Sequence, residues 1–499
     1  MLSSLPVEIW QEIFDQLILI LGPEHQGFRI ALRLRFVCSL YPIRLLVATS
    51  TNHRPVLGFF SHEIIRAIHA TQILASDETL EASERLTSDF LRLQVLRNVE
   101  SSLYLVNTIR ATVRALLLSK DGTVFDTDLH NYYTTILSEV PVKLFPTAFI
   151  LDALGANIYV KYLLWETDAP DSPRHLLSAA ACFGNTALVE KLLLQGVSCN
   201  IGSSIFGPPL HLAVCYGHTD TAKLLLEAGA DPNITLWDSQ KSEYNNNRYR
   251  QLHYDEEESV NIYSITPLQI ACCAGKWEAV RLLLLPEHGV PRTGLHYRLA
   301  ILSAIKGNHL NIVNYLVNIG DLNSMPADLL ECFWYRALRV ACDHGAEDAV
   351  RMILDKGVPV DSPGSSMLES PLSLAAGHGF EEIVRLLLET GADPNRIIKT
   401  ADDHIFYTPI KKAAHFGHLK SMQLMLDSSV SETPKGVTRS AAVGGQEHII
   451  RYLAEKGLLQ TLYQGRSMPD VTKMMIQCAH LRGYEWIESV LKDLGVLKP

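Results

Sequence analysis

Residues 213–229 read AVCYGHTDTAKLLLEAG. An alanine opens the stretch, Gly217 stands four residues on, an apolar pattern follows, and Gly229 closes it. The same text recurs at 180–196 (AACFGNTALVEKLLLQG), 375–391 (AAGHGFEEIVRLLLETG) and 441–457 (AAVGGQEHIIRYLAEKG). The inner glycines are Gly184, Gly217, Gly275, Gly307, Gly345, Gly379, Gly417, Gly445 and Gly483, spaced by 33, 58, 32, 38, 34, 38, 28 and 38 residues. The spacing of 58 is one repeat of about 33 plus an insertion of about 25. A closing glycine follows at Gly196, Gly229, Gly357, Gly391, Gly457 and Gly495, comes slightly late at Gly289 and Gly320, and is replaced once by Ser429. A worn copy around Gly155, Val160, Leu163 and Leu164 precedes the array. A fixed period of this length marks a stacked-repeat architecture.

Each unit reads as two short antiparallel helices. The first opens at Thr266-Pro267-Leu268, Ser370-Pro371-Leu372 or Thr408-Pro409-Ile410, where a hydroxyl suits the N-cap and Pro suits the first turn. The inner glycine permits a tight turn. The second helix places Val189, Leu192 and Leu193 at helical spacing, and a left-handed glycine ends it. One unit leaves apolar faces bare, so only stacking buries them.

These residues resemble the ankyrin repeat over about 170–499. Pro209-Leu210-His211-Leu212-Ala213 and Thr266-Pro267-Leu268-Gln269-Ile270-Ala271 approach that family's TPLHxA element, and Gly229-Ala-Asp-Pro-Asn233 and Gly391-Ala-Asp-Pro-Asn395 its GADxN element. The units around Gly307, Gly345 and Gly483 lack the Pro-Leu element. The resemblance implies an all-α solenoid that binds a protein ligand.

Residues 5–17 read LPVEIWQEIFDQL, and a second amphipathic stretch spans 30–38. Segment 1–38 resembles the start of an F-box. That resemblance implies docking on the Skp-type adaptor of a cullin–RING ubiquitin ligase through Leu5, Pro6, Ile9, Ile13, Phe14 and Val37. The bland alternative is a helical pair that covers one end of the solenoid. Residues 39–58 depart from the F-box pattern, with Pro42 and Pro55 and little helical period, and read as a loop, an insertion or intron-derived sequence. Residues 59–150 read as a helical connector, and 151–499 as the array with its worn first copy. F-box-like starts joined to such arrays look like a broad set of fungal proteins.

The composition fits this reading. The 499 residues are 47% hydrophobic and 20% charged, as in a folded protein. A net charge of −10 is a poor footprint for nucleic acid or for an anionic membrane. No apolar run is long enough to span a bilayer, and Glu8, Glu12 and Asp15 before Leu17–Leu21 are unlike a secretory signal. Nine cysteines without CxxC spacing point to reduced thiols, with the cytosol or nucleus as the expected compartment and no metal expected.

Catalytic signatures are absent: no GxSxG, no GxxxxGK[ST] and no HExxH. The expectation is therefore no enzyme and no cofactor. The nineteen histidines fall mostly at repeat positions, where His211 suits a hydrogen bond between turns. Two surfaces could receive a protein ligand. One is the row just before each inner glycine, on the expected concave side: Phe183, Tyr216, Ala274, Lys306, His344, His378, Phe416 and Gly444. His344 and His378 would make binding there sensitive near pH 6.5. The other is the insertion 232–262, which carries Trp237, Tyr244, Tyr249, Tyr254 and the acidic run Asp255–Glu258 and reads as a recognition arm or a solvated loop.

Overall fold

A computed structural model describes residues 88–89, 91–92, 95–96, 104–119, 126–144, 169–236, 265–361, 369–396, 408–428, 436–456 and 492. The F-box-like segment, the stretch 39–58, the copy around Gly155, the insertion from Trp237 to 264, Ser429 and the glycines from Gly457 onward lie outside the described residues. Helices dominate what is described, and the extended pairing is confined to an isolated bridge between Ser203 and Gly207.

Two compact units divide the chain. Of the described residues, the first holds those up to Ala304 and 311–320, and the second holds 305–310 and those from Asp321. In the first unit, α1 (Tyr104–Ser119) and α2 (Thr127–Leu144) pack together, and α1 also packs on α3 (Pro173–Cys182). The pairs α3/α4 (Thr186–Leu194), α5 (Pro209–Tyr216)/α6 (Thr219–Glu227) and α7 (Pro267–Cys273)/α8 (Trp277–Leu283) then follow. First helices stack on first helices, α3 on α5 on α7, and second helices on second helices, α4 on α6 on α8. Helix α9 (Gly294–Lys306) and α10 (Leu310–Ile319) form the next pair.

The second unit repeats the scheme. It holds α11 (Ala327–Asp343) with α12 (Glu347–Asp355), α13 (Pro371–His378) with α14 (Glu381–Glu389), α15 (Pro409–Phe416) with α16 (Leu419–Ser428), and α17 (Val437–Gly444) with α18 (Glu447–Glu455). Again α11, α13, α15 and α17 form one layer and α12, α14 and α16 another.

The alanines of the first helices explain their close approach. Ala179–Ala181, Ala375, Ala376, Ala413, Ala414, Ala441 and Ala442 are fully buried. The second helices fill the space between layers with Val189 and Leu192, Ile383 and Val384, or Ile449, Ile450 and Leu453. Each such side chain contributes roughly 1.5–3 kcal/mol of burial. Capping follows the sequence only in part. Thr266 and Gln269 form a reciprocal capping box, and Ser370 accepts from the Ser373 amide. Thr408 does neither, and its buried hydroxyl has no partner among the described residues.

The inner glycine does more than allow a tight turn. Gly184 has φ +65°, and a Cβ there would meet the His218 ring at 2.5 Å. Gly379 has φ +74°, and a Cβ there would collide with the His418 ring. Those rings belong to the next repeat and reach over the glycine: His218 Nε2 lies 2.9 Å from the Cys182 carbonyl, and His418 Nε2 lies 2.9 Å from that of Gly377. Two glycines depart from the expected pattern. At Gly307 the left-handed residue is Asn308 (φ 56°) instead. Gly320 is needed because Tyr297 packs on it at 2.5 Å from a Cβ position, with the Tyr297 hydroxyl donating to the Leu316 carbonyl at 2.7 Å.

The closing Gly391 (φ +95°) has open space where a Cβ would go. Gly391→Ala is therefore expected to cost about 1 kcal/mol, the backbone penalty alone. Gly379→Ala adds displacement of His418 and is expected to cost at least ~2 kcal/mol. Urea unfolding of the two variants measures the difference, and equal losses would contradict the stacking role.

Candidate functional site

The row before the inner glycines sits at the C-terminal ends of the first helices, where each unit turns back. In the first unit Phe183 meets aromatic neighbours. Phe183 follows α3, and its ring centroid lies 4.6 Å from that of Tyr133 and 5.7 Å from that of Tyr132, both on α2. Tyr133 is buried, whereas Tyr132 keeps 55% of its surface exposed. Tyr216 ends α5 half-buried. Burial raises its phenol well above the usual range, and its hydroxyl meets the Cys182 thiol. Such rings offer large contact area at low entropic cost, the property of binding hot spots. Tyr132 and Tyr133 carry no motif in the sequence. Only their place on the helix beside α3 brings them to Phe183.

In the second unit the row is polar up to Phe416. Lys306 is exposed at the end of α9. His344 caps α11, its Nδ1 3.1 Å from the Val340 carbonyl. His378, at the end of α13, reaches back to α11 and places Nε2 3.1 Å from Asp343 Oδ1. Phe416 ends α15 with its ring edge-on to His415. Beside them Lys412 is paired with Glu369, whose Oε1 also accepts from the Ser373 hydroxyl at 2.7 Å. Arg339 donates to the Glu369 carbonyl at 2.9 Å. These bonds cross from one repeat to the next, so the polar side chains are held in place before any ligand arrives. Gly444 is not a free surface position: a Cβ there would collide with the His415 carbonyl, and two helices touch through it.

Asp343 is the titrating centre of this group. Burial alone would raise its carboxyl, but the hydrogen bond from His378 and the charges of His344, His378 and Lys412 outweigh that, and it sits below the ordinary aspartate range. The sequence holds a signal for it. Two residues before the inner glycine, the other units carry Cys182, Cys215, Cys273, Ile305, Gly377, His415, Val443 and Leu481, and only here does an acid stand.

His211 and His175 serve the fold. His211 is fully buried in its slot with Nε2 3.0 Å from the Ile265 carbonyl, and burial pushes its imidazole down to about 4. His175 bonds the Ser203 hydroxyl at 2.7 Å. Asp231 and Asp393 form turns, each accepting from the amide two residues on, that of Asn233 at 2.8 Å and that of Asn395 at 2.9 Å. The thiols of Cys182, Cys272 and Cys342 are pushed up by burial, which makes them poor nucleophiles. Among the described residues no three His, Cys, Asp or Glu side chains gather as a metal site, and no helix is long and apolar enough to cross a membrane. The insertion arm leaves at Leu236 and returns at Ile265, whose carbonyl accepts from the Leu236 amide at 3.1 Å. Trp237, Tyr244, Tyr249 and Tyr254 themselves lie outside the described residues.

Comparison with known proteins agrees with this geometry. Residues 153–235 and 323–398 match the family model for ankyrin repeats (three copies), the first match taking in the worn copy around Gly155. An ankyrin repeat-containing protein of Schizosaccharomyces pombe is 46% identical over 55 residues, covering 11% of this chain and 27% of that protein. The E3 ubiquitin-protein ligase XBAT33 of Arabidopsis thaliana is 28% identical over 192 residues, 33% of each chain. The chain thus spans a third or less of the length of the curated relatives it matches. Among solved structures, the human ASB11 ankyrin repeat domain is 26% identical, covering 52% of this chain and 99% of its own, with a TM-score of 0.36. The chain carries ankyrin repeats in an all-α array, and such an array is a scaffold for protein–protein interaction.

The lowered pKa of His211 fixes a sign. The unfolded chain takes up this proton near the ordinary histidine value of about 6.5, the folded chain only near 4. Stability is therefore complete above about pH 6.5 and falls with pH toward 4. Acidification from pH 7 to 5 should remove about 2 kcal/mol through this residue, read as a shift in the urea midpoint that shrinks in His211→Gln. At Asp343, His378→Ala should leave burial dominant and raise the carboxyl above its present value, followed by carbon-13 NMR of labelled aspartate.

Proposed function

We propose that the chain is a substrate receptor of a Skp–cullin–F-box-type ubiquitin ligase. The array holds a protein ligand, and the segment 1–38 brings it to the ligase through the adaptor. The observation that carries this reading is the Leu5-Pro6-x-Glu8-Ile9 element with Ile13, Phe14 and Val37 in step behind it, upstream of a scaffold built to bind protein. The name of the Arabidopsis relative, a ubiquitin-protein ligase, supports it. In this reading the chain performs no covalent chemistry of its own and needs no cofactor. Ligand binding falls to the aromatic end at Phe183 and Tyr216 and to the polar row of Lys306, His344, His378 and Phe416.

The test is co-purification of the full chain with a Skp-type adaptor. Wild type should retain the adaptor. Ile9→Asp with Phe14→Asp should lose it by at least about tenfold, since each buries a charge against an apolar partner surface, while circular dichroism stays unchanged. Adaptor retained by the double variant, or never bound, leaves a plain ankyrin scaffold.

A further inference from the structure

Charge is unevenly divided between the two helix layers of the last described repeats. On the second helices the cations are paired: Arg385 with Glu382 at 3.2 Å, Lys420 with Glu381 at 3.4 Å, and Arg451 with Glu447 at 2.8 Å. The first helices α15 and α17 carry Lys411, Lys412 and Arg439 and no acid. Lys412 is taken by Glu369. Lys411 and Arg439 form no ion pair with any described residue, although the chain as a whole is acidic.

The register sharpens the point. Lys411 and Arg439 stand two residues before a buried alanine and six before the inner glycine, the slot filled earlier by Ser178, His211, Gln269 and Arg339. There a side chain reaches the next repeat and bonds its backbone: the Gly207 carbonyl for Ser178, the Ile265 carbonyl for His211, the His296 carbonyl for Gln269 and the Glu369 carbonyl for Arg339. In the last two described repeats the slot holds two cations in succession, Lys411 and Arg439. The Lys411 stem lies along the start of the next repeat, its Cε 3.2 Å from where a Cβ on Gly436 would stand. Burial, and then the charge of Arg439, lowers the Lys411 ammonium from its ordinary range. Adjacent cations with no ion-pair partner among the described residues oppose one another, and an external anion relieves both.

We propose that Lys411 and Arg439 form a docking site for an acidic peptide segment of a partner protein. Arginine offers a fork to one carboxylate and lysine a point charge to the next. Two cations fit neighbouring acidic side chains. A nucleic-acid backbone needs a longer basic stripe, and the acids of the second helices oppose one. This rests on the array as a protein-binding scaffold and not on any ligase role.

The full chain would be titrated into a short fluorescein-labelled peptide of alternating Glu and Gly, followed by polarisation. Saturable binding is expected, weakened at least about tenfold in Lys411→Gln/Arg439→Gln and by added salt. The second-helix control Lys420→Gln should bind like wild type, and Arg439→Lys, which keeps the charge and loses the fork, should bind more tightly than Arg439→Gln. Arg439 is exposed, so the single Arg439→Gln serves should the double variant fold poorly by circular dichroism. No saturable binding, equal binding by the Arg439→Gln or double variant, or tighter binding of a mixed-sequence single-stranded oligonucleotide would overturn the proposal. Adaptor co-purification is scored separately, so its failure leaves this result standing.

Discussion

The array depends on one contact made between repeats. A side chain at the head of a second helix reaches back over the preceding unit's left-handed glycine and bonds a carbonyl beneath it. His218 does so to Cys182, His418 to Gly377 and Gln446 to His415 at 3.2 Å, and His448 adds a bond to the carbonyl of Gly417 itself at 2.8 Å. The first helix ends with unpaired carbonyls, which must find donors. Supplying the donor from the next repeat satisfies the helix and fixes the stacking distance together. The glycine is required twice over: by the sign of its φ and by the ring that lies on it.

That contact also positions the candidate surface. Phe183, His378 and Phe416 lie beside turns clamped in this way, so their backbone is held by the same bonds that stack the repeats, while Lys276 and Phe380 pack over the glycines that follow Tyr216 and His344. What differs from unit to unit is the chemistry beside it. The first unit presents rings packed on α2, and the second presents His378 bonded to Asp343 and Lys412 to Glu369. A rigid frame with variable positions is how one fold serves many ligands.

Much of the frame was legible in the sequence, because glycine, proline and apolar spacing report backbone conformation directly. The helix pairs, the turn-forming Asp231 and Asp393, and the buried His211 follow from that grammar. Less was legible where the decisive partner lies far along the chain. Nothing local marks Tyr132 and Tyr133 as neighbours of Phe183, and Gly444 reads as a small surface residue until the His415 carbonyl is seen against it. Asn308 could not be foreseen as the left-handed residue because Gly307 beside it fits the period so well. Local pattern gives the units; packing between units decides which side chains meet.

The backbone bond from Leu236 to Ile265 has a consequence for how such a chain can change. It brings the chain back to its point of departure, so α6 and α7 keep their places whatever intervenes. Closing a longer excursion costs only about 0.6 kcal/mol for each doubling of length. Sequence can therefore be gained, lost or exchanged between those two residues with almost no effect on the stacked helices. The solenoid has, in effect, an attachment point at which new specificity can be grafted without refounding the fold.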